Sequence, residues 1–176
     1  MQLSPAMRDF ILHWGEMGAR WGVNRSVAQV HALLYLAPEP LPADEIAETL
    51  DIARSNVSTA IRELQGWKLV KVSRALGDRR DHFTSVHDIF ELVRLVVEGR
   101  REREFLPTVE ALRELKVGAE ADPATPAVVA ERIGGMLETM ELFDRWYREV
   151  SRLPRGTQVA MLKAGGALAR VLPKTG

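Results

Sequence analysis

Two short amphipathic segments separated by only three residues constrain the fold of this chain most strongly. Residues 43–50 and 54–67 each place apolar side chains at helical spacing, and Asp51-Ile52-Ala53 connects them. So short a connection is typical of a helix-turn-helix. Because two such helices bury little apolar surface by themselves, flanking segments must complete the core. The pattern therefore predicts a helix-turn-helix inside a larger helical domain.

The flanking segments supply the other parts of such a domain. Apolar residues recur at steps of three and four over 5–21 and over 25–36, which predicts two helices before the motif. Residues 69–74 and 80–85 predict two strands, and Gly77-Asp78 between them is a residue pair typical of a hairpin turn. The predicted fold is mainly α, a winged helix-turn-helix with a small β-hairpin wing.

Charge is concentrated in this part of the chain, although the formal net charge of the whole chain is zero. Between Ile52 and Arg80 there are seven basic residues and two acidic ones, Glu63 and Asp78. Distribution decides the direction of a protein's field more than the sum does. A basic segment centred on a helix-turn-helix and its hairpin favours binding to nucleic acid.

The polar face of the second helix carries side chains suited to a DNA groove. Arginine can bond guanine bidentately, asparagine can bond adenine, and serine or threonine can hold phosphates or bases. An arginine at a hairpin tip can enter a narrow minor groove. We expect Arg54, Asn56, Thr59 and Arg62 to read bases, Ser55, Ser58 and Lys68 to hold phosphates, and Arg79 and Arg80 to act from the wing. Glu63 would orient an arginine, and Asp78 and Asp81 would pair with arginines of the wing.

The second half of the chain returns to helical periodicity. Apolar residues over 89–112 predict a long helix that Pro107 should kink or interrupt. Residues 118–126 contain two prolines and predict a linker. Beyond residue 153 the chain is rich in alanine and glycine as far as Leu172, which predicts at best a weak final helix.

One stripe in this half repeats with heptad spacing and has two interpretations. An ordinary core-facing helix and a helix-to-helix dimer seam both fit it. Dimerisation is favoured because one winged helix contacts only a half-site. The stripe 89–112 is a second candidate contributor. We expect residues 1–87 to be a DNA-binding domain and residues 88–176 to be a helical dimerisation and effector region. The predicted seam residues are Val129, Ile133, Met136, Met140, Phe143, Tyr147 and Val150.

Several classes of protein are disfavoured by what the sequence lacks. There is no cysteine, which excludes disulfides and thiolate metal sites. His13, His31, His82 and His87 have no metal-ligand spacing, and the phosphate-loop, dinucleotide and nucleophile-elbow patterns do not occur. No apolar run approaches the roughly 18 residues of a membrane span. We expect no enzymatic activity, metal, cofactor or membrane insertion, and a cytoplasmic location.

Four blocks of the sequence, in order, resemble GbsR/MarR-type regulators. They are His13–Arg25, Ala32–Leu36 followed by Pro40–Ala47, Arg54–Ser58 and Gly77–Phe83, and the resemblance covers about Met7–Phe90. It implies a winged-helix dimer that reads double-stranded DNA with the helix starting near Arg54 and contacts the minor groove with its wing. Ala53 departs from the pattern, because a serine cap is common there, and alanine loses roughly 1 kcal/mol of capping.

The functional hypothesis is a homodimeric, sequence-specific transcriptional regulator that represses by occluding a promoter. The resemblance also implies a small-molecule effector, for which Trp14, Trp21 and Trp146 are candidate aromatic walls, since such walls bind quaternary ammonium groups. The alternative is a non-catalytic adaptor whose winged helix binds an acidic surface of another protein.

Overall fold

The chain divides into two compact units, residues 1–101 and 102–176. The structure, a computed structural model, describes residues 1–74 and 76–171, with side chains up to residue 165. The division in packing falls 14 residues after the predicted functional boundary at 87/88, and the assignment of functions to the two regions remains a prediction.

The first unit is a winged helix-turn-helix, as predicted. Five helices and three short strands alternate with tight connections. In chain order they are α1 (Pro5–Arg20), α2 (Arg25–Leu36), β1 (Leu41–Pro42), α3 (Ala43–Leu50), α4 (Arg54–Gly66), β2 (Val70–Arg74), β3 (Asp81–Ser85) and α5 (Ile89–Arg100). The predicted helices and hairpin are therefore confirmed, with ends that differ by a residue or two. Ala75, in the predicted turn, lies outside the described residues.

Strand β1 was not predicted from the sequence. Leu41 pairs with Phe83 and Pro42 pairs with His82, so the sheet has the order β1-β3-β2 and is antiparallel throughout. A two-residue strand has no period to detect, and a proline is tolerated there because β1 is an edge strand. The pairing joins the start of α3 to the wing.

Helix α2 is the centre of the first unit's core. Its buried residues occupy every side of the helix: Val27, Ala28, Val30, His31, Ala32, Leu33 and Leu34. Two glycines of α1 allow the close approach of α2. A Cβ on Gly18 would lie 2.6 Å from Cβ of Ala28, and a Cβ on Gly15 would lie 2.7 Å from Cγ of Gln29. Glycines that weaken α1 intrinsically are thus explained by packing.

As far as residue 171, where the description ends, the second unit contains three α-helices. They are α6 (Leu106–Ala121), α7 (Ala127–Ser151) and α8 (Arg155–Val171), and a π-helical turn at Arg101–Phe105 precedes α6. The predicted linker at 118–126 is partly wrong, because α6 runs through Ala121 before the chain turns. The predicted interruption at Pro107 takes the form of that π-turn, and the proline itself sits in the first turn of α6, where it is tolerated.

A small apolar cluster joins α6 to α7. Val109 and Leu112 of α6 and Leu137 of α7 are buried, and three further apolar side chains pack around them: Phe105, Ile133 and Met140. Helix α8 extends over 17 residues, more than the weak helix that was predicted, and Leu172 lies outside the described residues.

His31 is a titratable group in the apolar core. Its side chain on α2 is only 5% exposed, between the rings of Trp14 and Tyr35 at centroid distances of 6.3 and 6.5 Å. Its Nε2 atom is buried and has no hydrogen-bond partner among the described residues. Burial lowers the pKa of His31 from 6.5 to about 4, because the imidazolium form would lose its hydration.

We expect this histidine to make the first unit less stable in acid. Between pH 6.5 and pH 4 the unfolded chain binds a proton that folded His31 does not, so the free energy of unfolding falls as the pH falls through this window. Between pH 7.5 and pH 5, the loss measured by urea denaturation should be about 2 kcal/mol smaller in a His31→Leu variant than in the wild type.

His13→Leu is the matched control, because the His13 ring is exposed on α1. That variant should keep the wild-type dependence on pH. An unchanged slope in His31→Leu would show that His31 is not a buried neutral group.

Candidate nucleic-acid interface

Helix α4 is oriented by its apolar side. Val57, Ala60, Ile61 and Leu64 are buried in the core of the first unit. All predicted contact residues of the helix are consequently on the exposed side: Arg54, Ser55, Asn56, Ser58, Thr59 and Arg62. Glu63 is half-buried at the edge of this face. The face is convex and polar, as a helix that enters a groove requires.

The two arginines of this face, Arg54 and Arg62, are exposed. Among the described residues, neither Arg54 nor Arg62 makes an ion pair or a side-chain hydrogen bond, whereas Arg94 and Arg113 elsewhere in the chain are paired with glutamates. An exposed arginine with no internal partner keeps all its donors for a ligand. The face of α4 therefore has unsatisfied positive charge directed away from the core.

The two ends of α4 are also unusual. Ala53 is the N-cap and has no side chain that could accept a hydrogen bond. The helix therefore lacks the side-chain cap that a serine would provide at this position. At the other end Trp67 is the C-cap, and Lys68 follows in the left-handed conformation with φ 60°. Lys68 donates its amide to the carbonyl of Gln65 (2.9 Å), and Leu69 donates to that of Leu64 (2.9 Å). This is a Schellman cap with lysine where glycine is usual.

The wing is held by one arginine and two carboxylates. Arg80 donates to Asp78 through Nε (3.0 Å to Oδ2) and Nη2 (2.7 Å), and to Asp44 of α3 through Nη1 (3.1 Å). These hydrogen bonds from Arg80 lower the pKa of Asp78 to about 2, so the carboxylate stays ionised. Arg74 pairs with Asp81 across the hairpin at 3.0 Å. The predicted pairing of both aspartates with arginines is confirmed.

Arg79 and Arg80, which are adjacent in the wing, differ in what they contact. Arg80 is engaged by the protein, as described above, while Arg79 is exposed and has no ion pair or side-chain hydrogen bond among the described residues. Among the described residues, Arg79 is thus a wing cation whose donors are available to a ligand. Arg80 determines where the wing lies relative to α3.

The comparisons with known proteins agree with this geometry. Residues 17–81 match the family model described as the MarR family, and these residues span α2, the helix-turn-helix and most of the wing. This segment of the chain is therefore similar to the MarR family. One curated relative, the HTH-type transcriptional repressor GbsR of Bacillus subtilis (strain 168), is 29% identical over 102 residues, which are 58% of this chain and 54% of the relative. The chain thus spans about half the length of that relative.

A solved structure described as a transcriptional regulator shares the fold. It superimposes with a TM-score of 0.58 at 22% identity and covers 82% of this chain and 95% of its own. This match extends beyond the segment covered by the family model.

Sequence reasoning missed one residue that contacts the wing. Asp44 lies 36 residues before Arg80, and it contacts the guanidinium only because β1 brings the start of α3 beside the hairpin. Its position in an acidic first turn of a helix is also explained by the helix dipole, which is the ordinary reason for such a residue. No local pattern in the sequence distinguishes the two roles.

The predicted dimer seam is divided in the structure. Ile133 and Met140 pack against α6 inside the second unit, while Val129, Met136 and Phe143 remain exposed. Tyr147 and Val150 are half-buried. Three more apolar residues of α7 are exposed as well: Val128, Leu142 and Trp146. The apolar face of α7 that is open to a partner is therefore rotated from the predicted stripe.

The candidate effector residues are placed in different surroundings. Trp14 stacks on Phe10 with ring centroids 5.4 Å apart and packs against the core. Trp21, the C-cap of α1, is 63% exposed, and Trp146 is 58% exposed. Within the described residues no group of three or more His, Asp or Glu side chains is arranged to hold a metal ion, and no helix has the length and apolar character needed to cross a bilayer.

The left-handed Lys68 generates a prediction about stability. A lysine in this conformation is strained, since its Cβ crowds the following carbonyl. Lys68→Gly should raise the free energy of unfolding by up to about 1 kcal/mol, as measured by urea denaturation. The matched control is Lys71→Gly in the extended strand β2, which removes the same side chain and should lower stability. A loss of stability in Lys68→Gly equal to that of the control would refute strain at residue 68.

Proposed function

We propose that this protein is a homodimeric, sequence-specific DNA-binding transcriptional regulator that acts as a repressor in the cytoplasm. The observation that carries the proposal is the exposed face of α4, where Arg54 and Arg62 make no ion pair or side-chain hydrogen bond with any residue that the structure describes. The MarR family consists of non-enzymatic DNA-binding regulators, and the curated relative is a transcriptional repressor. Both support a regulator over an enzyme.

In the proposed mechanism, the two α4 helices of the dimer enter successive major grooves about 34 Å apart. Arg54, Asn56, Thr59 and Arg62 read base edges, and Ser55, Ser58 and Lys68 hold phosphates. Arg79 reaches the minor groove from a wing whose position Arg80 sets through Asp78 and Asp44. Occupation of a promoter by this dimer excludes the transcription machinery.

Dimerisation is supported by the exposed apolar face of α7. Met136, Phe143 and Trp146 are 58–60% exposed on one 25-residue helix, and an apolar face of that extent is unusual on a monomer. In the proposed dimer, α7 of a second copy covers these three side chains and also Val129, the other exposed residue of the predicted seam. Sedimentation equilibrium measures the state directly, and a monomer at micromolar concentration would refute this part of the proposal.

The proposal includes a small-molecule effector that alters the spacing of the two winged helices. The candidate ligand walls are Trp14 and Trp21 in the first unit and, as a separate candidate, Trp146 in the second. The class of ligand that aromatic rings favour is a quaternary ammonium compound. Titration of tryptophan fluorescence with choline and with betaine tests this. A flat, unshifted emission spectrum for both compounds would remove these ligands from consideration.

The adaptor alternative is separated from DNA binding by salt. Affinity for DNA falls steeply with salt because each neutralised phosphate releases counterions, and an increase from 50 to 200 mM should weaken binding by about 10³-fold or more for six or more phosphate contacts. A protein adaptor would show no preferred duplex at any salt concentration.

The decisive variant is Arg62→Ala. Fluorescence anisotropy should show that its affinity for a duplex selected by the wild-type protein falls by about tenfold, since a base-reading arginine contributes roughly 1–3 kcal/mol. Affinity for a scrambled duplex should change much less. Arg20→Ala is the matched control, because it removes the same charge from an exposed position of α1. Equal losses in both variants would mean that Arg62 contributes only general charge.

A further inference from the structure

The last turn of α5 lies directly against the end of the recognition helix α4. A Cβ on Gly99 of α5 would lie 2.5 Å from Cε3 and 2.7 Å from Cζ3 of Trp67. Non-bonded carbon atoms do not approach so closely, because favourable contacts begin at about 3.5 Å. The benzo edge of the indole therefore occupies the space that any side chain at residue 99 would need.

The backbone of Trp67 is part of the capped end of α4. It is the C-cap of that helix, and its backbone amide donates to the carbonyl of Glu63 at 3.1 Å. The two amides that follow complete the Schellman cap, and Leu69 and Val70 then enter the core. The side chain of Trp67 is half-buried and packs against the same core. A displaced indole would consequently pull on the capped end of the recognition helix.

The neighbouring residue of Gly99 secures α5 to another helix. Arg100 donates from Nη2 to the carbonyl oxygen of Trp21 at 2.7 Å, and Trp21 is the C-cap of α1. Two consecutive residues of α5 thus contact the C-terminal ends of α4 and α1. In the last turn of α5, Arg100 is hydrogen-bonded to the end of α1, and Gly99, which has no side chain, lies against Trp67.

From this arrangement we propose that the contact between Trp67 and Gly99 is a positioning contact that sets the orientation of the recognition helix. The functional part of this inference rests on the proposed DNA binding. Base contacts require side chains placed to within about half an ångström, whereas long side chains that hold phosphates tolerate displacement. Disturbing the contact should therefore reduce discrimination between duplexes more than general affinity for DNA.

The test compares Gly99→Ala with Gly118→Ala. Both replace a helical glycine with alanine, but nothing lies within 4 Å of a Cβ on Gly118. The probe is a duplex selected by the wild-type protein from a random library, with a scrambled duplex as reference. In Gly99→Ala, affinity for the selected duplex should fall by at least tenfold, and affinity for the scrambled duplex by less than threefold. Gly118→Ala should bind both duplexes as the wild type does.

A double variant shows whether the effect passes through Trp67. In a Trp67→Leu background the methyl group at residue 99 has room, so adding Gly99→Ala should change affinity by less than twofold. An equal loss in both backgrounds would overturn the proposal. If Gly99→Ala does not fold, Trp67→Phe takes its place, because it removes the benzo edge while keeping an aromatic ring. Full discrimination by a folded Gly99→Ala, or by Trp67→Phe in its place, would also overturn the proposal.

Hydrogen exchange separates this inference from the proposed function. The amides of Trp67, Lys68 and Leu69 form the cap of α4 and should exchange faster in Gly99→Ala than in the wild type or in Gly118→Ala. This result needs no DNA, so a wild-type protein that selects no duplex would refute the proposed function while exchange still decides the positioning contact. Unchanged exchange of these amides in Gly99→Ala would overturn the proposed positioning contact.

Discussion

The packing of α2 is the constraint on which the first unit depends. A helix buried on every side has no polar face, and so it needs neighbours around its whole circumference. Glycines at 15 and 18 let α1 approach it closely, the apolar side of α4 covers another part, and Phe83 of β3 lies in the same core. The recognition helix is therefore oriented by what it buries, and its polar face points outward as a consequence.

The arginines of the winged helix have two different roles. Arg80 is held by Asp78 and Asp44, and Arg74 is paired with Asp81, so these pairs shape the wing. Exposed ion pairs contribute little to stability, so their value here lies in geometry. Among the described residues, Arg54 and Arg62 of α4 and Arg79 of the wing tip make no such pair and face outward. A chain with no net charge can in this way present a local positive surface.

The second unit has few buried apolar side chains and many exposed ones. Its buried cluster is small, with Val109, Leu112 and Leu137 at its centre, while many apolar side chains of α7 are exposed. A helical hairpin of this kind buries too little surface to be very stable alone. A second copy covering the exposed face would supply apolar burial that the single chain lacks. Folding and dimerisation of this region would then be linked.

What the sequence alone determined was everything that depends on local periodicity. The apolar positions of residues 43–50 and 54–64 recur at helical spacing, and burial must turn the polar face of the second helix outward whatever the neighbours are. The helix-turn-helix, the hairpin and the exposed arginines of α4 were predictable for that reason. The absence of a side-chain cap at Ala53 was equally visible.

Only the tertiary structure decided the contacts between residues distant in sequence. The bond of Asp44 to Arg80 and the packing of Trp67 on Gly99 each join residues more than 30 positions apart, and such contacts have no periodic signature. The sequence likewise could not show which residues of the heptad stripe of α7 pack against α6 and which are exposed. Ile133 faces α6 while Phe143 faces outward, because the direction of a side chain depends on which neighbour the helix packs against.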